Sequence, residues 1–245
     1  MTATLTLRLA GPLQSWGVTT HTPDRPTGLE PTKSGVVGLC AAALGISRGE
    51  PLDHLTTLAM GVRVDQEGHL ERDFQTLQPH PRAGENHLST TVSPSGAQLN
   101  STSEGARIRR ATYLADACFV VSLTGDESLL QEIADAFNNP TYPLGLGRAA
   151  FPLSRPPIIG ITAHTSPSDA LAEVPWQATE HYRNQHPEVQ ALRGIVETDD
   201  LRGEVVTDVP TPKLLLREWT ARRVTHTSFP IPSEVPAAQL NEIPG

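Results

Sequence analysis

The sequence predicts an α+β domain built on a βαββαβ unit of the ferredoxin-like or RRM-like type. Two observations carry that reading. Apolar residues alternate in the strand-like runs 4–10, 58–65 and 69–77, and 112–123 is a further strong strand signal. Two stretches with helix start and stop signals, one after the first run and one after the last, give the order strand, helix, strand, long excursion, strand, helix, loop, strand. At 245 residues the chain can bury a core as one large domain or two small ones.

Taken in order, Thr4 to Ala10 sends Leu5, Leu7 and Leu9 to one side and Thr4, Thr6 and Arg8 to the other. That is a half-buried strand whose polar face is expected to stay open. Gly11-Pro12 ends it, and Pro23, Pro26 and Pro31 mark an irregular stretch suited to a loop or binding surface. Pro31-Thr32 opens a helix that runs to Leu44 and stops at Gly45. Its small residues, Gly35, Gly38 and Ala41 to Ala43, let it lie close to a sheet. Leu58 to Asp65 is a second strand, and Asp65-Gln66-Glu67-Gly68 reads as a hairpin turn into a third run, His69 to Leu77.

Residues 78–106 are rich in Pro, His, Gly, Ser, Thr and Asn, a composition that cannot bury a core and reads as a mobile or disordered excursion. Thr112 to Leu123 is the strongest strand signal in the chain. Thr124 and Glu127 fit a capping box for a helix carrying Leu129, Leu130, Ile133, Ala134 and Phe137 on one face. A glycine-bearing loop, Tyr142 to Arg148, leads to a short apolar run, Ile158 to Thr162. Leu214 to Val224 reads as a late strand before an extended, proline-rich tail. The organisation expected is a first domain over 1–163 and a C-terminal, β-rich extension over 164–245.

Composition removes several function classes. No apolar run reaches the ~18 residues of a spanning helix, and the start MTATLTLRLAG lacks the features of a signal peptide, so a cytoplasmic chain without membrane contact is expected. Cys40 and Cys118 can form neither a disulfide framework nor a metal knuckle, and no HExxH occurs, so no metal and no cofactor are expected. Net charge is −8, but the basic residues are unevenly placed. Residues 105–115 hold Arg107, Arg109 and Arg110 with no acid, and residues 136–168 hold Arg148 and Arg155 with none. Phosphate binding follows local basic density rather than net charge.

The short motifs narrow the chemistry further. Gly45-Ile46-Ser47-Arg48-Gly49 spells GxSxG, but its serine follows a helix and precedes none, so it is no nucleophile elbow. Thr32-Lys33-Ser34 lacks the glycines of a P-loop. What remains there is either a one-phosphate site, made by Lys33, Ser34 and the amides of a helix start, or an ordinary capped helix. Gly145-Leu146-Gly147-Arg148 is either a close approach of backbone amides to a phosphate beside Arg148 or a tight turn. The RRM stacking signature is missing and aromatic residues make up 4% of the chain, so RNA contact should rest on its backbone.

Several blocks together resemble one family. They are Leu9-Ala10-Gly11-Pro12 with Gln14, Trp16 and Gly17; Arg25-Pro26-Thr27; Pro31-Thr32-Lys33-Ser34-Gly35; Tyr113-Leu114 with Asp116-Ala117; Leu146-Gly147-Arg148; and Arg217-Glu218-Trp219. In this order they resemble the CasD subunit family of Cascade, the type I-E CRISPR surveillance complex. The chain departs from it at Ala149, where relatives often carry a second basic residue.

The resemblance implies a ferredoxin-like core of the repeat-associated RNA-binding superfamily with a β-hairpin thumb inserted at about 78–106. It implies a non-catalytic subunit that caps the 5′ handle of the CRISPR RNA and packs against the backbone subunit CasC and the large subunit CasA, meeting target DNA only through the complex. The residues expected to hold the handle are Gln14, Trp16, Arg25, Lys33 and Ser34, then Arg107, Arg109 and Arg110, then Gly145, Gly147 and Arg148. Trp16 either stacks on a base or packs in the core, and Asp116 is expected to order the thumb base. The rival reading is a metal-independent endoribonuclease, since relatives in a sister subtype cut the repeat with Tyr, Lys and His; here His21 and Lys33 would be the acid/base pair.

Overall fold

Leu5, Leu7 and Leu9 alternate along strand β1 (Thr2–Ala10) and are completely buried. They set the layer on which the rest is built. The computed structural model describes residues 1–18, 25–47, 49–77, 89–92, 98–101, 107–211 and 218–232. After β1 come β2 (Leu13–Gln14), α1 (Lys33–Leu44), α2 (Asp53–Thr56), β3 (Ala59–Gln66) and β4 (His69–Leu77). Then follow β5 (Ser89–Val92), β6 (Gln98–Ser101), β7 (Arg107–Ala115), β8 (Cys118–Asp126) and α3 (Glu127–Asn138). The remainder is β9 (Ile158–Thr162), α4 (Pro167–Glu173), α5 (Glu180–Gln185), β10 (Ala191–Glu197), β11 (Glu204–Pro210) and β12 (Trp219–Pro230).

The main sheet has seven strands in the order β11-β12-β10-β3-β8-β1-β9, every neighbouring pair antiparallel. On one face lie α1 and α3, whose Val36, Val37, Cys40, Leu130, Ile133 and Phe137 share a cluster with the β1 leucines. Thr32 caps α1, and Gly45 closes it at φ +79°, a left-handed conformation natural to glycine. Burial raises the thiol of Cys40, inside this helix, to about 12.

The other face of β1 is not open, against expectation. Thr4 and Thr6 are buried beneath α4 and the chain that follows it. The Thr4 hydroxyl lies 2.7 Å from that of Thr124 and donates to the His164 carbonyl at 2.8 Å. The covering segment is tied down by Arg63, a fully buried arginine on β3. Its guanidinium forms a two-point pair with Asp65, 2.8 Å at each contact, and donates to the carbonyls of Leu171, Val174 and Pro175. Arg63 thus supplies the donors that the carbonyl end of α4 would otherwise lack. Burial pushes the Asp65 carboxyl up, while Arg63 and the Gln177 amide pull the other way.

The turn at 65–68 does not fold β4 back onto β3. β3 pairs with β8 in the main sheet, whereas β4 pairs with β7 from His69↔Ala115 to Leu77↔Arg107, in a separate sheet ordered β2-β7-β4. The expected single strand 112–123 is accordingly two strands. It breaks at Asp116, which adopts φ +54°, donates its amide to Pro12 and accepts from the Gln66 side chain at 2.6 Å. β5 and β6 form an antiparallel pair, Ser89↔Ser101 to Val92↔Gln98; the other residues of the 78–106 excursion lie outside the described residues. Asp126, not Thr124, caps α3, accepting from the amides of Ser128 and Leu129. The late strand is β12, and residues 214–217 of the expected run lie outside the described residues. β10 to β12 continue the sheet outward from β3 through pairs such as Gly194↔Arg63.

Candidate nucleic-acid interface

Several of the blocks that stand out in the sequence, at 13–17, 25–27, 113–116 and 146–148, lie together around β7. Gln14 sits opposite Leu114 of β7 and is completely buried. Its amide donates to the Ala117 carbonyl at 2.8 Å, and its side-chain oxygen accepts from the Trp16 indole at 3.0 Å. Trp16 is equally buried, and a Cβ on Gly35 would lie 2.8 Å from its ring, so α1 approaches the indole closely because residue 35 is glycine. The core reading of Trp16 is therefore correct. Both side chains are buried and bonded to each other, so they brace the loop between β2 and α1 from inside.

The glycine loop is built for packing. Gly147 adopts φ +80°, and a Cβ there would fall 1.7 Å from the Ser15 carbonyl oxygen. A Cβ on Gly145 would fall 2.1 Å from the Arg148 carbonyl oxygen. The amides of Leu146 and Gly147 donate within the loop, to Phe151 and Gly145, rather than outward. Of the two readings of this motif, the tight turn fits, and its product is the placement of Arg148.

Lys33 corrects the sequence reading most directly. Its ammonium lies 2.9 Å from Glu197 with a side chain 3% exposed, and its amide donates to Asp208 at 2.8 Å. Glu197 also accepts from the Met60 amide, and Asp208 pairs at two points with Arg222, 2.7 and 2.9 Å. The helix start thus already holds anions, two carboxylates brought by β10 and β11. Ser34 is half-buried, its hydroxyl 3.3 Å from that of the cap Thr32. The same pairing engages Lys33, one member of the acid/base pair of the nuclease reading; the other member, His21, lies outside the described residues.

Other cations remain at the surface. Arg25 is exposed and its backbone bonds along β7, its amide donating to Arg110 and its carbonyl accepting from Thr112, both at 3.0 Å. Arg110 is also exposed. Arg107 and Arg109 sit in register with Leu77 and Gln75, at positions of opposite parity to Arg110 along the strand.

Arg148 is half-buried, its guanidinium 4.8 Å from the Tyr113 ring centre and donating to the Tyr113 hydroxyl at 3.1 Å. That hydroxyl donates to Asp73 at 2.8 Å, Gln75 donates to the same carboxylate oxygen at 2.7 Å, and Phe151 meets the tyrosine ring edge-on. Asp73 and Gln75 escaped the sequence reading. Their strand was recognised, but its partner was not, and only the β4–β7 register brings them to Tyr113. Among the described residues no three His, Cys, Asp or Glu side chains converge as a metal site would require.

The model of the CRISPR-associated protein family Cas_Cas5 matches residues 4–231. The chain belongs to the Cas5 family. Cascade subunit CasD of Escherichia coli (strain K12) is 33% identical to it over 177 residues, 70% of this chain and 76% of that protein. A crystal structure of a Cas protein superposes on this Cas5-family chain with a TM-score of 0.68 at 32% identity, covering 93% of this chain and 95% of that one. A chain of a CRISPR RNA-guided surveillance complex gives the same TM-score and identity over 93% of this chain and 91% of that one. No helix among the described residues of the Cas5-family chain is long and apolar enough to cross a membrane.

Proposed function

We propose that this Cas5-family chain is a non-catalytic subunit of a type I-E Cascade, and that it binds and caps the 5′ handle of the CRISPR RNA. The observation that carries the reading is the 33% identity to a Cascade subunit, CasD, across 70% of this chain. The strand order β3-β8-β1-β9, with α1 and α3 on one face, supports a ferredoxin-like core. The β5–β6 pair supports a thumb within 78–106.

The handle phosphates are held by Arg25, Arg107, Arg109, Arg110 and Arg148 around the base of that thumb. Residues 1–163 form the RNA-binding part and 164–245 the extension. In the cytoplasm the subunit packs against CasC and CasA and meets target DNA only through the assembly.

The test is co-expression of a tagged chain with its neighbouring subunits and a CRISPR array. Recovery of those subunits with RNA beginning in the repeat-derived handle is the expected result. Assembly without that RNA, or a specific cut of repeat RNA by the purified chain in EDTA, overturns the reading.

A further inference from the structure

The β4–β7 ribbon has two unlike faces. Directly opposed residues of an antiparallel pair share a face, as do residues two apart on one strand. One face carries Ala111 and Tyr113, both buried, with Asp73 bonded to the tyrosine; it is fastened to the body by Arg148 and Phe151. The other face carries Leu70, Arg72 and Phe74 on β4, opposite Leu114, Thr112 and Arg110 on β7. Phe74 is 60% exposed and Leu70 54%, and both arginines are exposed. Thr112 is half-buried and Leu114, at the end nearest the body, is buried in the core, so the open part of the face is Leu70, Arg72, Phe74 and Arg110.

We infer that this outward face is a stacking platform for single-stranded RNA: Phe74 takes one unpaired base on its ring while Arg72 and Arg110 take the flanking phosphates. The inference rests on the RNA-binding reading above and adds a base-contacting residue to it.

Three observations favour RNA as the occupant. Phe74 lies directly across from Arg110 and two residues from Arg72, so an exposed aromatic ring is flanked by cations on two sides. Among the described residues neither arginine forms an ion pair, unlike Lys33 and Arg222. A ring flanked by unneutralised guanidinium groups matches the combination of stacking and phosphate contact by which proteins hold single strands. The apolar surface is also interrupted, since Arg72 separates Leu70 from Phe74, which suits one base better than the continuous apolar core of a protein contact. Finally, the Tyr113–Asp73 bond on the reverse face fixes which way β4 presents its side chains, so Phe74 cannot turn inward without breaking it.

The experiment uses the full chain, alone and co-assembled with its neighbouring subunits, and handle RNAs carrying 2-aminopurine at one position at a time. Wild-type protein should quench one position strongly. Phe74→Ala and Phe74→Leu should abolish that quench and weaken binding about 10-fold, while Phe74→Trp preserves both. None of the three should change the salt slope of binding. Arg72→Gln and Arg110→Gln should each lower that slope by about one. Melting temperatures should stay at the wild-type value because the side chain is exposed. Equal affinity and quenching for wild type and Phe74→Ala would overturn the platform while leaving RNA binding standing. Loss of a neighbouring subunit from Phe74→Ala with unchanged quenching would make the face a protein contact and overturn it too. Failure of wild-type assemblies to hold any handle RNA would instead overturn the underlying reading.

Discussion

Lys33, Arg63 and Arg222 on one side, and Arg72 and Arg110 on the other, are the same chemistry used in opposite ways. The first group is buried or nearly so, and each member faces a carboxylate: Glu197, Asp65 or Asp208. The second group is exposed and, among the described residues, forms no ion pair. A desolvated cation is tolerated only when paired and fully hydrogen-bonded, and once paired it has nothing left for a ligand. An exposed cation contributes little to stability but keeps its full charge for a polyanion. The division between cations committed to the fold and cations left available therefore follows, in these five, where the carboxylates lie.

The largest test of that division is Arg63→Met. It strands the Asp65 carboxylate and takes donors from the carbonyls of Leu171, Val174 and Pro175. Urea denaturation should show a loss of about 3–5 kcal/mol. Adding Asp65→Leu should recover only part of it, because the three carbonyls remain without a donor. Full recovery would mean that the arginine serves the carboxylate alone.

Next comes Lys33→Met, expected to cost about 2 kcal/mol, less than Arg63 because Glu197 is 22% exposed and can be partly hydrated. Its discriminating readout is RNA affinity, which should not change in buffer where the variant stays folded. A reduced salt slope would return Lys33 to the binding surface and break the comparison.

Lys33 also marks the limit of what a sequence makes legible. The helix it opens, its Thr32 cap and its Gly45 stop are local signals, and they read correctly. So did the leucine face of β1 and the apolar face of α3. What was not legible is contact between residues far apart in the chain. Glu197 and Asp208 reach Lys33 from more than 160 residues away, and α4 covers Thr4 from a similar distance. The exposed Phe74 was hidden for a related reason. Alternation identifies a strand, but only pairing with β7 rather than β3 decides which of its faces meets water. The break at Asp116 was masked because strand propensity runs straight through it.

Tyr113 lies between the two groups, since it holds a half-buried arginine that still reaches the surface. Tyr113→Phe keeps the ring under Arg148 but removes the hydroxyl shared by Arg148 and Asp73. A loss of about 1 kcal/mol in stability is expected, with a weaker and less salt-dependent hold on RNA because Arg148 loses its hydrogen-bond anchor. Arg110→Gln should be gentler still on the fold, within about 0.5 kcal/mol of wild type, while lowering the salt slope of binding.

The smallest effect concerns an exposed carboxylate, Asp126, and it separates two candidate caps for α3. The Ser128 hydroxyl, then the Leu129 and Ser128 amides, hold its carboxyl below the usual aspartate value. Because the folded-state value is the lower one, this contribution is complete above the unfolded aspartate pKa of about 3.9 and fades as pH falls through the folded value. The melting-temperature gap between wild type and Asp126→Ala should therefore be open at pH 7 and narrow below pH ~4. Thr124→Ala should behave differently. Its hydroxyl lies 2.7 Å from that of Thr4 inside the sheet rather than at the helix start, so its cost should not vary with pH. A pH-dependent gap for Thr124→Ala and none for Asp126→Ala would restore the cap that the spacing of Thr124 and Glu127 suggested, and would make even this exposed charge a bystander.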